Sequence, residues 1–217
     1  MKSQWVESDA EAAVARYADA GVSRDLALRV YSTRLLGRDP ALVLHGGGNT
    51  SVKTRATDLL GEEVDAMHVK GTGADMASIE PSGMPAVRLA PLKKLRTFDT
   101  LSDEDMLRVQ RGSLIDPTAP SPSVEMLLHA FMPAKFIDHT HANAVLSLID
   151  QPNAEDICGE VYEGRLGLVP YHRPGFGLAK AAAETFERAP GFEGLILAKH
   201  GIFTFGATPR AAYERMI

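Results

Sequence analysis

His139 and His141 stand two residues apart in KFIDHTHANAVLSL, at the end of an apolar run that reads as a strand from Lys135 to His141. Residues i and i+2 of a strand project from one face, so the two imidazoles lie side by side, a spacing suited to a divalent metal ion. A third nitrogen ligand would complete the set usual for a catalytic zinc and leave one position open for water or substrate. The candidates among the seven histidines are His45, His68, His129, His172 and His200. His200 is the first choice, because it ends an apolar strand pattern and Gly201 follows it, where close approach is permitted. The plainer alternative is a half-buried strand whose two histidines are only hydrogen-bonded.

Other segments carry groups that suit an anion. HGGGNTSVK offers a glycine turn with Asn49, Thr50 and Ser51, and KGTGAD offers a second turn with Thr72 and Gly73. Neither matches a Walker or dinucleotide fingerprint. SPSVEMLLH brings Ser121, Ser123 and Glu125 near the start of a helix whose N-terminal amides could also hold phosphate. Glu125 has an ordinary reading too, as a first-turn carboxylate complementing the helix dipole. His129, one turn further on, reads as packed or bonded to that same helix rather than as a ligand.

The elements that must position these groups alternate between helix and strand. Helices are expected over Asp9–Ala20, over Arg24–Arg38 with Ser23 as N-cap, over Ser102–Gly112, over Ser123–Phe131 and over Gly177–Arg188. Strand, glycine turn and second strand are expected in DPALVLHGGGNTSVK. Further strands are expected in VDAMHVK, in PAVRLA, in Arg165–Tyr171, and on either side of Gly201 in GLILAKHGIFTFG. IDPTAPSPS reads as a surface loop within the domain. The last helix starts on Thr208 and Pro209 and runs to Ile217 without a C-capping signal, so the 217 residues are expected to form one domain cut from the N-terminal part of a longer protein.

Composition sets limits on function. The chain is 45% hydrophobic and 24% charged, as in an ordinary globular domain. Its 23 basic and 28 acidic residues leave a net charge of -5, with no electrostatic footprint for nucleic acid or an acidic membrane. No stretch is apolar enough to span a membrane. A single cysteine, Cys158, rules out a disulfide within the chain and a cysteine-rich zinc module. These features together lead to the expectation of a cytoplasmic protein.

Taken in order, GGGNTSVK, KGTG, PSVE, DHTHANAV and KHGIFTFG resemble the class II aldolase and adducin family from about Arg24 to the last residue. Within it, LHGGGNTSVK, DHTHANAV and KHGIFTFG are most similar to rhamnulose-1-phosphate aldolases, especially the aldolase half of proteins that carry a short-chain dehydrogenase behind it. The resemblance implies that His139, His141 and His200 bind Zn2+ or another divalent ion and that Glu125 is the catalytic acid or base. It further implies that Asn49, Thr72, Gly73 and Ser123 hold the substrate phosphate. Many members have Ser-Ser-Glu where this chain has Ser123-Val124-Glu125, so one hydroxyl is missing unless Ser121 replaces it. Adducin-like members generally lack the metal histidines, which are kept here.

The implied fold is a three-layer α/β/α domain around a mostly antiparallel sheet, usually in a homo-oligomeric ring of four with sites between neighbours. The implied reaction cleaves a ketose 1-phosphate to dihydroxyacetone phosphate and an aldehyde. A dication on the ketone and hydroxyl oxygens spreads the electrons into an enediolate, Glu125 moves protons, and its pKa is expected to be raised by desolvation. Lys70 and Lys199 are then charge partners or surface groups rather than nucleophiles. The same chemistry suits a pentulose-phosphate 4-epimerase, and a metal-stabilised scaffold is the non-catalytic alternative.

Overall fold

The computed structural model describes residues 1–189 and 191–217. Seven strands, β1 (Asn49–Thr57), β2 (Glu63–Val69), β3 (Ala86–Arg88), β4 (Phe136–Thr140), β5 (Leu166–Val169), β6 (Gly194–Leu197) and β7 (Gly201–Gly206), form one sheet in the order β3-β2-β1-β4-β7-β6-β5. Every neighbouring pair is antiparallel except β5 and β6. Among the described residues there are nine α-helices: α1 (Glu7–Ala18), α2 (Arg24–Gly37), α3 (Leu89–Lys94), α4 (Asp103–Gly112), α5 (Met126–Phe131), α6 (Asn143–Ile149), α7 (Ala154–Tyr162), α8 (Phe176–Arg188) and α9 (Pro209–Met216).

Alternation along the strands sorts the core into two layers. Met67, Val69, Ile137, Phe203 and Phe205 point to one face, where they pack with residues of α3, α4, α5 and α8. Val52 and Phe136, with Ile196 and Ile202, point to the other face, covered by α1, α2, α6, α7 and α9. The result is the mostly antiparallel α/β/α sandwich that the resemblance implied. β4 lies at its centre between β1 and β7, and all five of its residues are buried. Adjacent residues of β4 therefore serve opposite layers: His139 follows Ile137 toward α5, while Asp138 faces α2.

Local signals hold where the caps are in place. The backbone amides of Leu26, Asp105 and Ala211 donate to the hydroxyls of Ser23, Ser102 and Thr208. Four expectations need correction. The segment before Gly46 is not a strand: Asp39 Oδ1 accepts from Ala41 N at 2.9 Å and its carbonyl from Leu42 and Val43, which coils the chain into turns. PAVRLA is split, with β3 ending at Arg88 and α3 beginning at Leu89. α5 begins at Met126 rather than Ser123, because Glu125 (φ -87°, ψ 7°) stands outside the helix. α6 and α7 fill a stretch for which no element was expected.

The last helix lies behind β4, where buried Met216 places its sulfur 3.2 Å from Thr140 Oγ1. Among the described residues no helix is long and apolar enough to cross a membrane.

Candidate metal centre and active site

The three histidines expected to meet do so. On β4, His139 sits opposite Asn49 of β1 and Phe203 of β7. Its ring stacks on Phe203 with centroids 4.2 Å apart and planes at 15°. Its Nδ1 donates to the Ile202 carbonyl at 3.0 Å, which leaves the Nε2 lone pair bare. His141 lies one residue past the strand end, and its Nε2 is 3.1 Å from that of His139. His200 occupies the turn between β6 and β7, where its amide donates to Leu197 and Lys199 adopts a left-handed conformation (φ 59°). The His200 ring is 5.1 Å from that of His139 and 5.2 Å from that of His141. One nitrogen from each of the three lies within 4.8 Å of the others.

This donor set fits a divalent cation. Two imidazole nitrogens 3.1 Å apart repel unless a proton or a metal ion lies between them. His200 Nδ1 is buried without a hydrogen-bond partner. His139, His141 and His200 would hold the ion, with N ligands of the kind common to catalytic zinc sites.

Glu125 stands over the same nitrogens, its Oε2 3.4 Å from His139 Nε2 and its Oε1 3.0 Å from His200 Nε2. It caps no helix through its side chain. Asn49 Nδ2 donates to Glu125 Oε2 at 2.7 Å and approaches Ser123 Oγ at 3.2 Å. The raised pKa expected of Glu125 is reversed. Burial favours the protonated acid, but the facing imidazoles of His139 and His200 and the Asn49 amide outweigh it and hold the carboxyl well below its ordinary range.

The other histidines go elsewhere. His45 and His172 are exposed, and His68 Nδ1 lies 3.2 Å from the Met84 carbonyl. His129 is fully buried, with Nδ1 2.8 Å from Ser51 Oγ and Nε2 in a short contact with Asn49 Oδ1. It is bonded to β1, not to its own helix as expected. Its position four residues after Glu125 was the available signal for a shared role.

Asn49 and Ser123 are buried against Glu125, whereas Thr72 and Gly73 lie on an exposed turn, Gly73 at φ 76° with open space around it. The loops are tied together. Ser123 N donates to Lys70 O and Thr72 N to Ser121 O, while Lys70 Nζ reaches the carbonyls of Gly46 (3.0 Å) and Ala74 (2.8 Å). Lys70 is thus buried and bound to carbonyls rather than a surface group, with the Asp75 and Glu125 carboxylates acting on its charge, while Lys199 is exposed as expected. The Ser121 hydroxyl accepts from Arg111 at 3.1 Å.

Two consequences are measurable. A Cβ on Gly201 would lie 2.4 Å from Thr140 O, 3.0 Å from His141 Cδ2 and 3.2 Å from His139 Cε1. Gly201→Ala should push the strand end and both rings apart, cost about 1–3 kcal/mol of stability and weaken metal binding, read by denaturant unfolding and metal titration.

The second concerns pH. Burial pushes the His139 imidazole down to about 4 from 6.5, and lowers His129 as well. The unfolded chain thus binds more protons between those values, so stability is complete above about pH 6.5 and falls as pH drops toward 4. His139 alone contributes roughly 3 kcal/mol to that fall. Urea unfolding of chelator-treated protein at several pH values in this window checks it.

The Class II Aldolase and Adducin N-terminal domain family matches residues 28–217, and the chain belongs to it. A Bacillus subtilis protein described as the uncharacterized oxidoreductase YuxG is 39% identical over 188 residues, which are 87% of this chain and 27% of that protein. The chain therefore spans about a quarter of the length of that curated relative. The N-terminal class II aldolase domain of a conserved protein from Thermoplasma acidophilum is 37% identical with a TM-score of 0.87, over 99% of this chain and 93% of the other. L-fuculose-1-phosphate aldolase from Thermus thermophilus has the same fold at 19% identity, with a TM-score of 0.54 over 87% of each chain.

Proposed function

We propose that this domain is a metal-dependent class II aldolase that cleaves a ketose 1-phosphate, with rhamnulose 1-phosphate as the first substrate to test, to dihydroxyacetone phosphate and an aldehyde. The observation that carries this reading is the Glu125 carboxyl set 3.4 Å from His139 Nε2 and 3.0 Å from His200 Nε2, two of three convergent imidazoles. Zinc or another divalent ion held by His139, His141 and His200 would supply Lewis-acid polarisation of the substrate's carbonyl oxygen.

The chain's own residues account for the rest. Glu125 accepts the proton of the substrate hydroxyl whose carbon becomes the aldehyde, and returns a proton to the carbon that keeps the bonding electrons. Ser123 Oγ faces the N–H groups of Asn49 (3.2 Å) and Glu125 (3.3 Å), so its own O–H is free to donate to a substrate phosphate oxygen. Thr72 spends its hydroxyl proton on the Pro122 carbonyl at 2.9 Å, so it serves the phosphate by packing and through its turn backbone. Gly73 leaves that turn open to an anion. Val124 is exposed and offers no hydroxyl, so phosphate binding rests on fewer groups than Ser-Ser-Glu would provide.

In the same reading the active form is a homotetramer with sites between neighbouring subunits, in the cytoplasm, and the domain is the aldolase part of a longer protein. The length and the oxidoreductase description of the B. subtilis relative support the last point. Incubation with zinc and candidate ketose 1-phosphates should release triose phosphate. Sugar isomerised without cleavage would replace the proposal by a pentulose-phosphate 4-epimerase, and no turnover of any candidate would favour a metal-stabilised scaffold.

A further inference from the structure

Buried His129 is used neither by the metal nor by the phosphate groups, yet each of its ring nitrogens meets a polar side chain. The donor sense of that contact chain is fixed from one end. Asn49 Nδ2 lies 2.7 Å from Glu125 Oε2 and 3.2 Å from Ser123 Oγ, so the Asn49 group that faces the carboxyl is the amide nitrogen. Asn49 Oδ1 is thereby turned to His129 Nε2, and a carbonyl oxygen only accepts. The proton of the neutral ring must then sit on Nε2. His129 Nδ1 is left as an acceptor, and Ser51, fully buried 2.8 Å away, must donate its hydroxyl to it.

We infer that His129 is a positioning residue, locked as the Nε2–H tautomer, which keeps the Asn49 amide from flipping and so aims its N–H group at Glu125. The directed series runs Ser51 O–H to His129, His129 N–H to Asn49, and Asn49 N–H to Glu125. Every member polarises the next, and the series ends on the base. Without a donor at position 129, the buried Asn49 oxygen loses its partner, and the Glu125 carboxyl alone is left to hold the amide in this sense. Ser123 Oγ, which shares the same amide, would be left with the Glu125 backbone N–H as its fixed partner. The ring is also held edge-on to Phe203, the residue that backs His139, so both imidazoles are oriented from one aromatic side chain.

The catalytic consequence rests on the aldolase reading above; the tautomer does not. Nitrogen-15 NMR of the zinc-loaded protein labelled at histidine should show His129 with a protonated Nε2 and a bare Nδ1, and the opposite tautomer overturns the inference whatever the activity. In kinetics, His129→Leu should lower kcat about 10- to 100-fold at unchanged zinc content. His129→Gln, whose amide can still donate to Asn49, should restore most of it. Equal loss in both variants would mean that bulk alone matters at this position and would overturn the inference. Should neither wild type nor variants cleave any ketose phosphate, the functional reading falls while the NMR result still decides this one.

Discussion

Glu125→Gln should lower kcat by roughly 10^2- to 10^4-fold while metal content stays at its wild-type level. The substitution keeps shape and hydrogen bonding: a glutamine oxygen can still accept from Asn49 Nδ2, and its amide group can face His200 Nε2, 3.0 Å from the present carboxylate. What disappears is the capacity to take up and return a proton. His139→Ala is the contrasting case. It removes the ring that stacks on Phe203 and one of the three convergent nitrogens, so both bound metal and turnover should be lost together. Metal analysis alongside steady-state kinetics with a ketose 1-phosphate separates the two outcomes. If Glu125→Gln arrives without metal, the carboxylate is a ligand and the proton-transfer role assigned to it is wrong.

The site was more legible in the sequence than the elements around it. His139 and His141 were readable because strand geometry alone brings i and i+2 together, and Gly201 marked His200 because a glycine beside it signals crowding, which the structure shows at 2.4 Å from a Cβ at that position to Thr140 O. The helices α6 and α7 were not readable, for reasons visible in their ends. Neither has a side-chain N-cap hydrogen bond, and α6 continues the apolar run of β4 after only a short break, so no periodicity separates them. The coil before Gly46 hid in the same way, since ALVL has the composition of a strand while Asp39 fixes its turns through contacts with Ala41, Leu42 and Val43. The Glu125 pKa failed for a different reason. Desolvation could be foreseen from a buried pocket, but it is outweighed by His139 first, then His200 and last Asn49, which come from distant parts of the chain. Contacts across the sheet decide charge state, and spacing along the chain does not reveal them.

The second large effect is expected behind the metal face. Arg29 of α2 and Asp138 of β4 are both fully buried and paired at 2.6 Å. The guanidinium also reaches the carbonyls of Ser51 (3.3 Å) and Ile137 (3.4 Å) and the Ser32 hydroxyl (2.7 Å). Burial raises the Asp138 carboxyl and lowers the Arg29 guanidinium, and each is held charged by the other. Removing one partner leaves a buried charge without compensation. Arg29→Met should therefore cost about 3–5 kcal/mol, measured as a fall in the urea midpoint at an unchanged slope. The double variant with Asp138→Leu should recover most of that loss, since an apolar pair needs no desolvation of ions. The pair has a functional consequence because Asp138 and His139 are neighbours on opposite faces of one strand. Arg29 fastens β1 to β4 from the α2 side at the Ser51–Ile137 pair, two residues along from where Asn49 meets His139 on the α5 side. Zinc affinity should consequently drop in Arg29→Met even at temperatures where it remains folded, and return in the double variant. A single variant that loses stability but binds zinc as tightly as wild type would show that β4 keeps its position without this anchor.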